Sequence, residues 1–408
     1  MRTYRVWSGL LLLIAATPAV SQTPSVDEIW AIVQQQQAEI AELKARLAEA
    51  DVQLASADQK IEATGDYLET MAMPAAAPKT KIGGYGELHY NNLDADDSTR
   101  DVDQIDYHRF VLFFGHEFSD RVNFFSEVEL EHSLAGDGAP GEVELEQAYV
   151  DFALSDTLNA KTGLFILPLG FLNETHEPPT FYGVERNSIE NVIIPTTWWE
   201  AGAALSGRNE RGFSWDLALH SGLAIPTEGS SAFRVRSGRQ KVAEAIASDP
   251  AYTARMRYSG MPGLDLAASF QYQADASQQS GDGLDAGKLF VFNANYDIGA
   301  FSLRGLYASW DFDGAAVEAA GADSQSGWYL EPSYQFASIV GDWGIYTRYE
   351  DVEGARSQDQ FTQLEIGASY WPVDNVVLKL DYRQRDHDLS SESGRDFDGF
   401  DLGVGYQF

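Results

Sequence analysis

The chain has 408 residues, 28 basic against 62 acidic, a formal net charge of -34, and no cysteine. The missing thiols exclude disulfides, cysteine catalysis and cysteine-ligated zinc. The acidity argues against a nucleic-acid partner, which needs clustered Lys and Arg to neutralise phosphate. Aromatics make up 12% and apolar residues 44% of the chain, enough apolar surface for a substantial fold.

The N-terminus "MRTYRVWSGLLLLIAATPAVSQ" carries Arg2 and Arg5, an apolar run, and small residues at Ala19 and Ser21. That layout predicts a secretory signal at 1–21, because the apolar run falls well short of the roughly 20 residues a spanning helix needs. Residues 22–72 follow with a heptad pattern. Val26, Val33, Ile40, Leu47, Leu54 and Ile61 recur at one position, with Ile29, Gln36, Leu43, Ala50, Ala57 and Thr64 at the other. The repeat predicts an α-helical coiled coil, and its mixed seam leaves the choice between two and three strands open. "MPAAAPKT", residues 73–80, breaks the helix with Pro74 and Pro78 and reads as a linker.

From Lys81 the pattern turns to short alternating segments. Strands are expected at 82–90, 104–117, 120–132, 143–153, 158–166, 198–206, 212–220, 251–258, 264–272, 286–296, 300–309, 327–336, 342–350, 361–370, 376–384 and 400–408. Long and short connections alternate between them, which is the signature of an outer-membrane barrel with short periplasmic turns at one rim and long external loops at the other. The fold expected for 81–408 is therefore an all-β transmembrane barrel of about 16 antiparallel strands, preceded by a periplasmic coiled coil.

Strand faces support the barrel. Val376, Leu378, Leu380 and Tyr382 alternate with Lys379, Asp381 and Arg383, as a lipid face alternates with a wet lumen. By the same rule Glu127, Glu129 and Glu131 in an early strand, and Arg255, Arg257, Arg304, Arg348, Lys379 and Arg383 in later ones, are candidate pore-lining residues. Across a cylinder these charges either set up a transverse field or pair and hydrate the wall. The segments 104–117 and 143–153 carry apolar residues on both faces and stay unassigned. Trp198, Trp199, Trp215, Trp310, Trp328, Trp343 and Trp371 fall near strand ends, where a headgroup belt would place them.

A barrel of this size encloses water unless a loop narrows it. The connection 167–197, rich in Pro and apolar residues, is the candidate constriction loop, carrying Glu174, His176, Glu177, Glu185, Arg186 and Glu190. The seven histidines are scattered, and no metal or triad spacing stands out, so neither an enzyme nor a metal site nor a cofactor is expected. The closing "FDLGVGYQF" alternates apolar and polar residues and is expected to pair with the first strand. Its terminal aromatic is expected to act as a signal to the barrel assembly machinery.

"KIGGYGELHYNNL", "HRFVLFFGHEF", "EVELEQAYVDF" and "GLFILPLGFLNETHEPPTFYGVERNSIENVIIPTTWWEAGAAL" resemble the phosphate-selective porin O and P family. The resemblance implies a trimeric sixteen-stranded channel in a Gram-negative outer membrane. It implies passive diffusion of ions and small polar solutes, anions such as phosphate among them, with outer-membrane lipids as partners. The candidate loop departs from the family's basic constriction, since it sets Glu174, Glu177, Glu185 and Glu190 against Arg186 alone. The other reading is a structural anchor whose coiled coil acts as a periplasmic spacer or cell-wall tether.

Overall fold

The computed structural model describes residues 79–408. The expected signal peptide, the coiled coil and most of the linker lie outside the described residues. Sixteen strands follow one another: β1 (Thr80–Ala95), β2 (Val102–Ser119), β3 (Val122–Glu131), β4 (Val143–Ser155), β5 (Leu158–Ile166), β6 (Trp199–Arg208), β7 (Phe213–His220), β8 (Ala251–Met261), β9 (Leu264–Gln273), β10 (Gly287–Ile298), β11 (Phe301–Phe312), β12 (Ser324–Ser338), β13 (Gly341–Glu353), β14 (Gln360–Val373), β15 (Val376–His387) and β16 (Phe397–Gln407). Each pairs antiparallel with its neighbours in sequence, and β16 pairs with β1 to close the barrel. At the seam Leu88 faces Val404, and Gly84 and Phe408 exchange backbone hydrogen bonds of 2.9 and 2.8 Å.

Closure removes every free sheet edge, which is what lets strands cross lipid without unsatisfied backbone groups. The side-chain period of two then sorts the wall into two faces. On β15 and β16, Leu378, Leu380, Phe400, Leu402 and Val404 point outward and are exposed, while Lys379, Asp381, Arg383 and Asp401 point inward and are buried. The turns between even and odd strands, such as 120–121 and 262–263, are two to four residues long. The opposite rim carries the long connections, above all 167–198 and 221–250.

The two strands whose faces the sequence leaves unassigned each contain a bulge. In β2 the register slips between Glu87 and His89, so that Leu88 stands opposite both Tyr107 and His108. In β4 Glu127 pairs with Gln147 and Val128 with Leu145, leaving Glu146 as the extra residue. A bulge turns consecutive residues toward one face and inverts the alternation beyond it. It thereby brings His108 and Arg109, and Glu146 and Gln147, to the inside as pairs.

The lumen is not simply water-filled. Leu167, Leu169, Ile189, Ile193, Ile194 and Trp198 of one long connection join Leu223, Ile225, Phe233 and Val235 of the other in a continuous apolar cluster. This cluster packs on Leu289 and Val291 of β10, Leu306, Ala308 and Trp310 of β11, Tyr329 of β12 and Val352 of β13. Three tryptophans expected in a headgroup belt belong instead to the interior: Trp198, Trp199 and Trp310 are almost wholly buried. Trp310 stacks on Phe312 at 5.0 Å and donates its indole N–H to the Ile193 carbonyl at 2.9 Å. Trp328 and Trp343 do lie on the outer surface.

Candidate pore constriction

The connection 167–198, hereafter L3, leaves β5 and returns to β6 through a closed neck. Leu167 donates its N–H to the Trp198 carbonyl at 3.1 Å. Asn173 clamps the same pair, donating to the carbonyls of Leu167 and Trp198 at 2.7 and 3.0 Å and accepting from the Trp198 N–H at 2.6 Å. Inside the loop the buried Glu190 carboxylate accepts the N–H groups of Phe171 and Leu172 at 2.6 and 2.7 Å and the Asn187 amide at 2.8 Å. Burial raises the Glu190 carboxyl, and these donors offset only part of that.

From its neck L3 crosses the lumen to the far wall. Lys379 of β15 donates to the Gly183 carbonyl at 2.7 Å and lies over the Phe181 ring. Asp381 accepts the Val184 N–H and the Tyr346 hydroxyl, the latter at 2.7 Å. Ser188 donates its N–H to Glu350 at 2.8 Å. Gly183 adopts φ +89°, and a Cβ there would stand 2.7 Å from Glu365 and 3.2 Å from Arg348, so only glycine fits the crossing point. The contacts explain why a strongly acidic loop folds inward: the buried charges of β13 and β15 take its backbone groups as partners.

Glu185 reaches β1, where His89 and Asn91 contact its carboxylate at 3.2 and 3.0 Å. Burial pushes that carboxyl up, but the hydrogen bond and charge of His89, with Arg383, hold it well below the usual carboxylate range. Arg186 donates to the Thr197 hydroxyl at 3.0 Å. The second long connection, 221–250, hereafter L4, places Arg236 on the Thr196 carbonyl at 2.7 Å and Arg239 on the Thr197 carbonyl at 2.5 Å. Lys241 reaches Glu142 at 2.5 Å and also Glu144. Arg234 forks onto Asp359 at 2.7 and 2.8 Å and ties L4 to the rim.

These groups enclose a cavity of about 410 Å³. Its acids include Glu129, Glu131, Glu142, Glu144 and Glu146 from β3, β4 and the connection between them, with Glu185 and Glu190 of L3. Its guanidiniums include Arg186, Arg236, Arg239, Arg383 and Arg385. Arg383 is spent on Asp401, and Arg385 on Gln363 at 2.6 Å and Ser188 at 3.1 Å. Among the described residues Arg186, Arg236 and Arg239 donate to neutral oxygens and to no carboxylate. Burial first, and then the neighbouring guanidiniums Arg239 and Arg186, pull Arg236 down to about 9. Burial and Arg109 lower Arg186 in the same way.

The expected pore-lining residues divide. Glu129, Glu131 and Arg383 border the cavity, as do Glu185, Arg186 and Glu190 of L3. Arg348 lies beneath L3 instead of on an open wall, 2% exposed and ion-paired to Glu331, Glu350 and Glu365. Lys379 is likewise covered by the loop. Arg255 is shared by Asp216 and Glu174, and Arg257 forks onto Asp265. Arg304 lies over the Phe171 ring at 4.9 Å. Glu127 and His176 are buried together at 3.2 Å. Glu177 uses its carbonyl to close the Pro178–Thr180 turn at 2.9 Å.

Histidines that look scattered in sequence converge here. His89 stacks on His108 at 4.6 Å, and Asp106 contacts His108 and His132 at 3.1 and 2.8 Å. Sequence reasoning missed these and the L4 cations. The stretch "FRVRSGRQK", four cations in nine residues of an acidic chain, is the signal that could have found the latter.

Residues 226–390 match the Gram-negative porin family. An uncharacterized protein of Aquifex aeolicus (strain VF5) is 30% identical over 344 residues, covering 75% of this chain and 76% of that protein. Among solved structures, OprB of Pseudomonas putida superposes with a TM-score of 0.57 at 11% identity, over 81% of this chain and 94% of that one. An anion-selective porin from Comamonas acidovorans superposes with a TM-score of 0.56, also at 11% identity, over 81% and 99%. At such identities the structural likeness is one of fold.

Proposed function

The chain belongs to the Gram-negative porin family and is an outer-membrane channel for small solutes, and from that premise we propose that it passes small ions and polar solutes with a preference for anions. The observation that carries the preference is the trio Arg186, Arg236 and Arg239, which line the cavity without a carboxylate partner among the described residues. The cavity's acids are partly neutralised by Lys241 and Arg109. An anion entering the cavity relieves the mutual repulsion of three crowded guanidiniums, whereas a cation must displace these existing pairs. Phosphate and small carboxylates suit the forked donors of arginine. The wall L3 narrows implies size exclusion as well, so the transport is passive diffusion. The subunit associates with copies of itself as a trimer in this reading.

Planar-bilayer recordings in a potassium chloride gradient test the preference. The reversal potential is expected on the chloride side, and Arg236→Gln with Arg239→Gln is expected to move it toward potassium with the channel still present. A cation-selective parent would overturn the anion reading, and a chain that inserts without conducting would overturn the channel itself.

A further inference from the structure

Beneath the neck of L3, at the edge of the cavity, the fold collects carboxylates that its own cations neutralise only in part. Glu127 and Glu129 of β3 and Glu146 of β4 are 1%, 2% and 2% exposed. Arg109 has its Nε 3.8 Å from Glu129 and 2.5 Å from Glu87, which competes for it, and Arg186, the other guanidinium near Glu129 and Glu146, hydrogen-bonds to Thr197 and to neither acid. Gln147 donates to Glu127 at 2.6 Å. That leaves Glu129 Oε1 and Glu146 Oε2 buried without a hydrogen-bond partner among the described residues, and the Tyr85 hydroxyl beside them likewise. Buried carboxylate oxygens are costly unless paired, so unpartnered ones together call for a cation.

His176 of L3 completes the set. Its Nδ1 lies 3.2 Å from the Asn173 carbonyl, a contact only an Nδ1–H can make favourable. Its Nε2 then faces Glu127 Oε1 at 3.2 Å and Glu146 Oε2 at 3.9 Å, so a positive charge belongs between them, either a proton on Nε2 or a metal ion. The Nδ1 contact to a backbone carbonyl is also how proteins orient an imidazole toward a metal. One ligand atom each from Glu127, Glu146 and His176 lies within 4.8 Å of the others. Donors bound at about 2.0–2.2 Å around one zinc-like ion stand about 3–4 Å apart, so small side-chain shifts suffice.

We propose that Glu127, Glu146 and His176 bind a divalent transition-metal ion, with Zn²⁺ as the best fit, and that the ion staples L3 to the β3–β4 wall. Two carboxylates and an imidazole suit zinc-class ions, while Ca²⁺ would need six to eight oxygens. Glu129 supplies adjacent negative charge. The Glu146 carboxylate also borders the 410 Å³ cavity, which gives the ion a way in.

The test uses the full chain folded in detergent, stripped with a chelator and then titrated with Zn²⁺ alone. One ion per chain at micromolar affinity is expected. Glu146→Gln and His176→Gln should each weaken binding by about tenfold or more, the scale seen when a metal site loses a partner. His132→Gln, at the separate Asp106–His108–His132 cluster, should leave it unchanged. Zinc K-edge absorption on the parent protein reads the site without any variant, and one imidazole among oxygens is the expected first shell. Two imidazoles, undiminished binding in Glu146→Gln, or no zinc uptake at micromolar free ion would overturn the proposal. The last result would mean that protons neutralise the carboxylates.

Discussion

Arg348 shows how much of this interior depends on a single cation. Its guanidinium serves Glu331 at 3.0 Å, Glu350 at 2.6 Å and Glu365 at 2.7 Å while also lying near the Tyr182 and Glu185 carbonyls of L3. Replacing it with Met strands buried carboxylates, which costs about 3–5 kcal/mol when one partner of a buried pair is removed. The folded, SDS-resistant form of Arg348→Met is therefore expected to convert to the unfolded band at a clearly lower temperature than the parent. Arg348→Lys should fall between them, because an ammonium cannot fork to several acids at fixed geometry. The inward direction of Arg348 was legible from strand alternation. Its burial was not, since that comes from a loop far away in sequence crossing over it. Glu127 and His176 are similar: each reads as a pore or loop charge alone, and only the β4 bulge that turns Glu146 inward makes them one cluster.

At the scale of elements, L3 is fixed at both ends of its span by different chemistry. The neck relies on Asn173, and the crossing on Asp381, which holds the Val184 N–H and the Tyr346 hydroxyl. Asp381→Ala leaves the Val184 N–H unpaired, at about 1–3 kcal/mol for a buried group, while the Tyr346 hydroxyl keeps Glu365. The expected result is a barrel that still folds and inserts but whose single-channel current shows added flicker and new sublevels. A steady current identical to the parent would mean that the other anchors hold the crossing alone. The strands themselves were readable because a lipid face imposes strict alternation, and their expected and observed positions differ mainly at the ends, as for 400–408 against Phe397–Gln407. β2 and β4 resisted because a bulge inverts the phase partway along a strand, so no single alternating pattern describes either one. L4 was readable as long but not as a constriction element. Its apolar anchors Leu223, Ile225, Phe233 and Val235 show no period, and they gain meaning only against the inner faces of β10–β13.

The molecule as a whole holds its shape by one seam. A Cβ at Gly84 would overlap the Val111 carbonyl and stand 3.2 Å from the Phe408 ring. Gly84→Val should therefore impair pairing of β1 with β2 as well as its closure on β16, seen as loss of the heat-modifiable folded band after refolding into detergent micelles. Efficient folding of that variant would show that the seam tolerates a local shift. The apolar cluster shared by L3, L4 and the β10–β13 wall has a consequence of a different kind. Strand number fixes a barrel's girth, yet here part of that girth is backed by dry packing, so a solute meets a bore set off-centre, toward β1–β4 and β15. Evolution or engineering could then re-bore such a cylinder by exchanging two loops, with the staves left as they are.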